Sequence, residues 1–431
     1  MKAGFAVLLT LFLLPSHPAR AAPLERLAAL ADALAGVRQL SIAGMRIARE
    51  EGPGFVLSGL ELQLPDRSEP AYRLRIAKFA EDAKRPRLAP LRLDLIATPS
   101  GPEMRVSGSI TVPDTAVRIR LEGEQDMARG RGLLRVDSGR IRFLPGGLQP
   151  SDLFPAFGNL LEEVQGSVGF LARLQWGERS RQLAELTIHD LSFLLAGVPV
   201  SGLRTSIAFD RLLPPSTLPA QEITISRIGT GLPLEQGRIL FALSEGTRLA
   251  VARMVFSLAG GELRALPFTL DLARPEVLVT LEARGLALET LLAHAGLPGL
   301  RGEGTLDGRL AARISRAAVI LEEGRLAARG PGRLRYRPET PPPVSDPQML
   351  LLLQAIRNFH FTRLEASVEG NLLDELRVTI GLSGSNPDFY EGYPVALNVT
   401  FEGPLGALLG SGIRAYRLPA EIERRLRKKA R

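Results

Sequence analysis

Leu91-Arg92-Leu93-Asp94-Leu95 and Val117-Arg118-Ile119-Arg120-Leu121-Glu122 decide the fold class of this chain. Each stretch sets an apolar side chain at every second position and a polar one between. Successive side chains of a strand point to opposite faces, so strict alternation reads as a strand that is oily on one side and wet on the other. The pattern recurs at Leu60-Glu61-Leu62-Gln63-Leu64, Tyr72-Arg73-Leu74-Arg75-Ile76, Ile141-Arg142-Phe143, Val277-Leu278-Val279-Thr280-Leu281-Glu282, Leu376-Arg377-Val378-Thr379-Ile380 and Val395 to Phe401. Turn residues separate the runs at Pro65-Asp66, Pro99-Ser100-Gly101, Pro113-Asp114, Asp137-Ser138-Gly139 and Pro145-Gly146-Gly147. The paired acids Glu162-Glu163 and Glu322-Glu323 read as solvated turns or helix ends. Strands joined by such short links form an antiparallel meander, not a βαβ series.

Helical patterns are few. Residues 24–37 form an amphipathic stretch, Ser151 to about Val164 is interrupted by Pro155, and Leu286–Ala295 and Met349–Arg357 complete the set. They suit plugs or lids on a β body. Two echoes suggest repeated architecture: Ser58-Gly59-Leu60 and Ser201-Gly202-Leu203 each open a strand, and short helices near Leu160-Leu161 and Leu291-Leu292 each precede a glycine-led strand, at Gly166-Ser167-Val168 and Gly304-Thr305-Leu306.

The N-terminus has the form of a secretory signal: Lys2, an apolar run from Ala3 to Leu14, Pro15, then Ala19-Arg20-Ala21 before a cleavage point. The run is too short for the roughly 20 residues of a spanning helix. Export with removal of residues 1–21 is therefore expected, and retention as an inner-membrane anchor is the alternative. The 431 residues include no cysteine, and a chain of this length buries enough surface without disulfides. Net charge is +8, but the last 11 residues carry six basic and two acidic side chains. The nearly balanced body argues against a nucleic-acid partner. The basic end suits anionic headgroups or a solvated terminal helix.

The C-terminal third carries ordered motifs. Leu300-Arg301-Gly302-Glu303-Gly304-Thr305-Leu306-Asp307-Gly308 begins them, and Val319 to Leu326 reads as a strand, a Glu-Gly turn and a returning strand. Gly330-Pro331-Gly332-Arg333-Leu334-Arg335-Tyr336 and Arg357-Asn358-Phe359-His360-Phe361 follow. Ser383-Gly384-Ser385-Asn386-Pro387 and Pro394-Val395-Ala396-Leu397-Asn398 close the series. Their order resembles the YdbH-like branch of the AsmA-like superfamily of bacterial envelope proteins, relatives of TamB. Phe361 stands where that branch more often has Tyr. The resemblance implies an elongated, twisted antiparallel sheet forming an open hydrophobic groove, a β-taco. It further implies a periplasmic protein that moves phospholipid between the inner and outer membranes, with a small outer-membrane lipoprotein as a partner. No catalysis, cofactor or metal is implied. At about 4.8 Å per strand, 20 to 25 strands stack to roughly 100 Å. The expected division is a signal at 1–21, a groove at 22–284 and a family-type groove at 285–431.

The residues expected to line the groove are the in-phase apolar ones: Leu91, Leu93, Leu95, Val117, Ile119, Leu121, Val277, Val279, Leu281, Val378 and Ile380. Asn386, Pro387, Pro394 and Asn398 are expected to shape the terminal strands. Enzyme readings lack an inventory. His189, His294 and His360 are widely separated, and Gly302-Glu303-Gly304 leads into a strand where a dinucleotide loop needs a helix. Trp176, the single tryptophan, is expected at a sheet edge. Alternation alone fits a β-sandwich equally well. The 5% aromatic content, the long strand series and the Leu, Val, Ile and Ala positions favour the groove. The alternatives are an envelope scaffold that docks other proteins and a dicarboxylate-binding component, which wants converging Arg or Lys.

Overall fold

The computed structural model describes residues 38–48, 53–65, 70–158, 160–178, 180–229, 231–294, 299–315, 318–338, 353–372, 375–403 and 415–417. The expected signal, the 24–37 helix and the basic terminus lie outside them. Two compact units emerge, Met1–Ile223 with Ala242–Gly246, and Thr224–Phe241 with Thr247–Arg431. The boundary expected at residue 285 falls inside the second unit.

The first unit is a meander in which each strand pairs antiparallel with the next. Its strands are β1 (Gln39–Ile47), β2 (Gly54–Gln63), β3 (Tyr72–Asp82), β4 (Leu91–Ser100), β5 (Glu103–Thr111), β6 (Arg118–Asp126) and β7 (Arg131–Phe143). A short helix, α1 (Pro150–Leu153), leads to β8 (Leu161–Trp176), β9 (Arg181–Leu195), β10 (Val198–Leu212) and the small β11 (Pro215–Thr217). Among the described residues β1 pairs with β2 alone, so the sheet does not close on itself.

Strands β12 (Gln221–Ile228) and β13 (Leu234–Ser244) divide between the units. The second unit continues with β14 (Arg248–Leu258), β15 (Gly261–Ala265), β16 (Phe268–Asp271), β17 (Val277–Ala287), helix α2 (Leu288–His294), β18 (Leu300–Glu303), β19 (Thr305–Ile314) and β20 (Val319–Ala328). It ends with β21 (Gly332–Tyr336), β22 (Phe359–Asn371), β23 (Leu376–Ser385), β24 (Val395–Gly403) and β25 (Ala415–Arg417). Among the described residues these strands pair antiparallel. Strand β22 pairs with β20 through Glu365–Asn371 and with β21 through Phe359–Phe361, so β20 and β21 act as two halves of one returning strand.

Three local expectations change. Asp137-Ser138-Gly139 is a bulge inside β7, not a turn between strands. There Gly139 N–H donates to Asp137 Oδ1 at 2.8 Å and Phe170 N–H donates to Ser138 Oγ at 2.8 Å, so short polar side chains replace the missing ladder bonds. Glu322-Glu323 is likewise a bulge within β20, which runs through the expected Glu-Gly turn. The helix expected to Val164 stops at Leu153. Pro155 has no N–H to continue the helix and opens a separate 3₁₀ turn, and Leu161 onward pairs as β8. The Ser-Gly-Leu echo has a shared cause: Gly59 and Gly202 both sit at positive φ, +62° and +67°, in strands.

The apolar phase is buried with little to cover it. Ala97 is fully buried and Leu93 is 1% exposed. Yet the described elements of the first unit outside its strands are α1, one 3₁₀ turn and connecting loops. Among the described residues, the in-phase side chains of neighbouring strands cover one another by packing into apolar clusters. Such packing crowds that face, and in-phase glycines relieve the crowding. A Cβ on Gly108 would lie 2.2 Å from Asp94 O and 2.6 Å from Leu95 Cδ2. One on Gly308 would lie 2.2 Å from Arg325 O and 2.5 Å from Leu326 Cδ2.

Replacing Gly308 with Ala is therefore expected to lower stability by about 1–3 kcal/mol. Gly147→Ala, whose nearest neighbours would be 3.5 Å away, should change it by less than about 0.5 kcal/mol. Urea midpoints of the two variants measure the contrast.

Candidate functional site: the apolar face of each sheet

Register turns alternation into rows. In the first unit Ile42, Leu60, Ile76, Leu93, Ile110 and Ile119 stand opposite one another across six strands. A second row runs Leu40, Leu62, Leu74, Leu95, Gly108, Leu121, Val136. Five of the expected groove residues thus belong to two rows or their continuation along β4, and Val117 directly precedes β6. Leu93, Leu95 and Leu121 join one apolar cluster, while Leu91, Val117 and Ile119 join a neighbouring one that includes Leu153 of α1. Helix α1 is pinned there by Ala89 N–H, which donates to Leu153 O at 2.9 Å. The Gln149 side chain exchanges two bonds with the Val164 backbone, at 2.8 and 3.0 Å.

The second unit repeats the device. One row is Phe256, Leu263, Ala283, Gly308, Leu326, Ala366, Ile380, Val399. The next is Met254, Ala265, Leu281, Leu310, Gly324, Val368, Val378. Leu281, Val378 and Ile380 are thus brought onto one face, and Val277 and Val279 extend it along β17. Alternation within each strand was readable. The long rows through β1–β3 and β14–β15 were not, because register depends on where bulges fall.

Exposure sorts the eleven residues into two groups. Leu93, Leu95, Val117, Leu121 and Val279 are buried by the protein's own side chains. Leu91, Ile119, Val277, Leu281, Val378 and Ile380 keep part of their surface. The buried group serves as core, and the second leaves apolar area on that face. Phe361, 1% exposed, lies between β21 and β23 opposite Gly332 and Gly384, where a Cβ on Gly332 would meet its ring at 2.3 Å. Helix α2 seats on β18 through Gly302, against Leu288 and Leu292.

Of the four terminal-motif residues, Asn386 has a defined job. It is 2% exposed, its Nδ2 donates to Gln354 O at 3.1 Å and Ala355 O at 2.9 Å, and its Oδ1 accepts from Asp388 N–H at 2.8 Å. It clamps the helical segment 353–358 over the end of β23. Pro387 and Pro394 are exposed in the link between β23 and β24, and Asn398 lies exposed on the outer phase of β24 opposite Gly381. Trp176 ends β8 across from Gly132, where its indole N–H donates to Gln125 Oε1.

The opposite face is a mantle of alternating charge. Glu61, Arg75, Asp94, Ser109, Arg120 and Asp137 form a row in the first unit, with Arg75 and Asp94 3.3 Å apart. In the second, Glu282 sits between Arg264 and Arg309 and also reaches Arg284, at 2.7, 3.0 and 2.9 Å. Hydrogen bonds from Arg264 and then Arg309 hold its carboxyl at about 2, against an ordinary 4.5. Among the described residues there is no cluster of three His, Asp or Glu able to hold a metal ion, and no helix long and apolar enough to cross a membrane.

A family model described as YdbH-like, intermembrane phospholipid transport protein YdbH, matches residues 14–427, and the chain belongs to this family. The match reaches well beyond the C-terminal third in which the motifs were legible. No curated protein and no solved structure matches the chain.

A carboxylate whose folded value is depressed stabilises the fold fully above its unfolded value, and loses that contribution as pH falls through the folded one. Comparison of Glu282 with Glu282→Gln should therefore show a stability gap that is constant above about pH 5–6. The gap should narrow below 4.5 and vanish near 2. Urea melts of both proteins across that range provide the check.

Proposed function

We propose that the apolar rows hold phospholipid tails while headgroups stay in solvent, and that the chain moves phospholipid between inner and outer membranes of the envelope without catalysis. The observation that carries this reading is the apolar face itself. It runs from β1 to β7 in the first unit and through β14, β15, β17, β19, β20, β22, β23 and β24 in the second, no second sheet packs on it among the described residues, and six of its expected residues retain surface. Family membership supports the cargo class. Exposing a tail to water costs about 0.8 kcal/mol per CH₂. A face of Leu, Ile, Val and Ala lowers that cost at every step, and its uniformity avoids a deep trap along the way. The charged mantle keeps the other face wet. Export to the periplasm with a signal at 1–21, and a small outer-membrane lipoprotein as partner, complete the reading.

A photo-reactive residue at Leu91, Ile119, Leu281 or Val378 of the full chain should form phospholipid adducts in cells, read by mass spectrometry. The same residue at Arg120 or Glu365 on the outer face should not. Val378→Asp combined with Ile380→Asp should remove adducts in the second unit while circular dichroism stays unchanged. Equal labelling of both faces, or no lipid on either, would sink the proposal.

A further inference from the structure

The second unit has a cavity of about 770 Å³ at the end of β21, beside the clamped segment 353–358. Two arginines line it, Arg337 just after β21 and Arg357 in the 3₁₀ turn Ile356–Asn358. Both are exposed, and among the described residues neither guanidinium has an ion-pair or hydrogen-bond partner. Many arginines of this unit are instead neutralised, including Arg264, Arg284, Arg309, Arg313, Arg329 and Arg377. Among the described residues one carboxylate also lines the cavity, that of Asp388. It accepts from Asn358 Nδ2 at 2.8 Å, and Asn358 Oδ1 in turn accepts from Arg333 Nε at 2.8 Å. Its charge is thus already partly answered by the Arg333–Asn358 relay, which leaves the arginines in excess.

Among the described residues the rest of the wall is mixed: Gln354, Asn358 and Asn386 are polar, while Tyr336, Leu353 and Phe389 supply apolar surface, and Phe389 packs against the apolar cluster that contains Leu334, Phe361 and Leu382. An occupant would therefore meet cationic donors on one side and the edge of the oily cluster on the other. A guanidinium offers paired N–H donors that match phosphate oxygens, and two such forks suit a phosphodiester or phosphate monoester.

We propose that this cavity binds the phosphate of a phospholipid headgroup, with Arg337 and Arg357 as the charged donors and the tails leaving past Phe389. The inference rests on the reading of the apolar face as a carrier of tails and adds a headgroup contact to it. It places a contact to the headgroup phosphate in the second unit.

The test is equilibrium binding by the full chain of three probes: dihexanoyl phosphatidylglycerol, dihexanoylglycerol with the same tails and no phosphate, and inorganic phosphate. Arg337→Gln with Arg357→Gln is expected to weaken the phosphatidylglycerol about tenfold or more while leaving dihexanoylglycerol binding unchanged. Arg253→Gln, on an exposed strand position elsewhere, should do neither, and circular dichroism verifies that both variants fold. Unchanged phosphatidylglycerol affinity in the double variant overturns the headgroup site and leaves the tail-carrying reading intact. Arginine-dependent binding of inorganic phosphate as tight as that of the lipid also overturns it, since the source would then be free phosphate. Failure of the wild-type protein to bind either lipid probe overturns the tail-carrying reading together with the inference built on it.

Discussion

A sheet with one apolar face and no second layer must find cover for that face, and the rest of this structure follows from that constraint. In the first unit Leu93, Leu95 and Ala97 are dry although no helix longer than α1 accompanies the described strands. Among the described residues the cover comes from in-phase side chains packed on one another. That packing requires room, which Gly108 and Gly308 supply by leaving notches beside Leu95 and Leu326. A conventional sandwich would meet the same constraint by pairing two sheets. Here the solution leaves a face partly open along rows that run from strand to strand.

The two faces divide the work. The outer face is self-neutralising: Glu282 is shared by three arginines, and Arg377 lies between Glu369 and Glu402. Individual exposed pairs add little stability. Their arrangement matters more for keeping the polar side hydrated and for fixing register, because like charges placed opposite would penalise a slip. A one-residue slip would also turn every oily side chain outward. Register and the separation of oily from wet are therefore one property.

Fold class was legible because period-2 alternation is local. Leu91-Arg92-Leu93-Asp94-Leu95 states its two faces without reference to any other residue. What was not legible depends on partners distant in sequence. Asp137-Ser138-Gly139 and Glu322-Glu323 have the composition of turns, and only the neighbouring strand shows them to be bulges within longer strands. The helical pattern after Ser151 was overridden by Pro155 and by pairing of Leu161 onward with β9. Burial was also out of reach. Leu91 and Leu93 have the same phase and the same side chain, but one keeps surface and the other does not. The clamp by Asn386 joins residues 386 and 354–355, a contact no local pattern announces.

On the proposed tail-carrying reading, the split between buried and half-buried members of the apolar phase bears on how such a carrier could stay folded when empty. If every in-phase residue stayed exposed, the empty protein would present a continuous oily surface and aggregate. If every one were buried, no tail could gain from contact. A face that is buried in part satisfies both limits. Leu93, Leu95 and Val279 give the empty chain a core of its own, and Ile119, Leu281, Val378 and Ile380 leave a narrower strip of unsatisfied apolar area. That strip is small enough to be tolerated in water and continuous enough to reward a hydrocarbon chain lying across it. On the proposed reading, stability of the empty protein and affinity for tails would then be set by different residues on the same face.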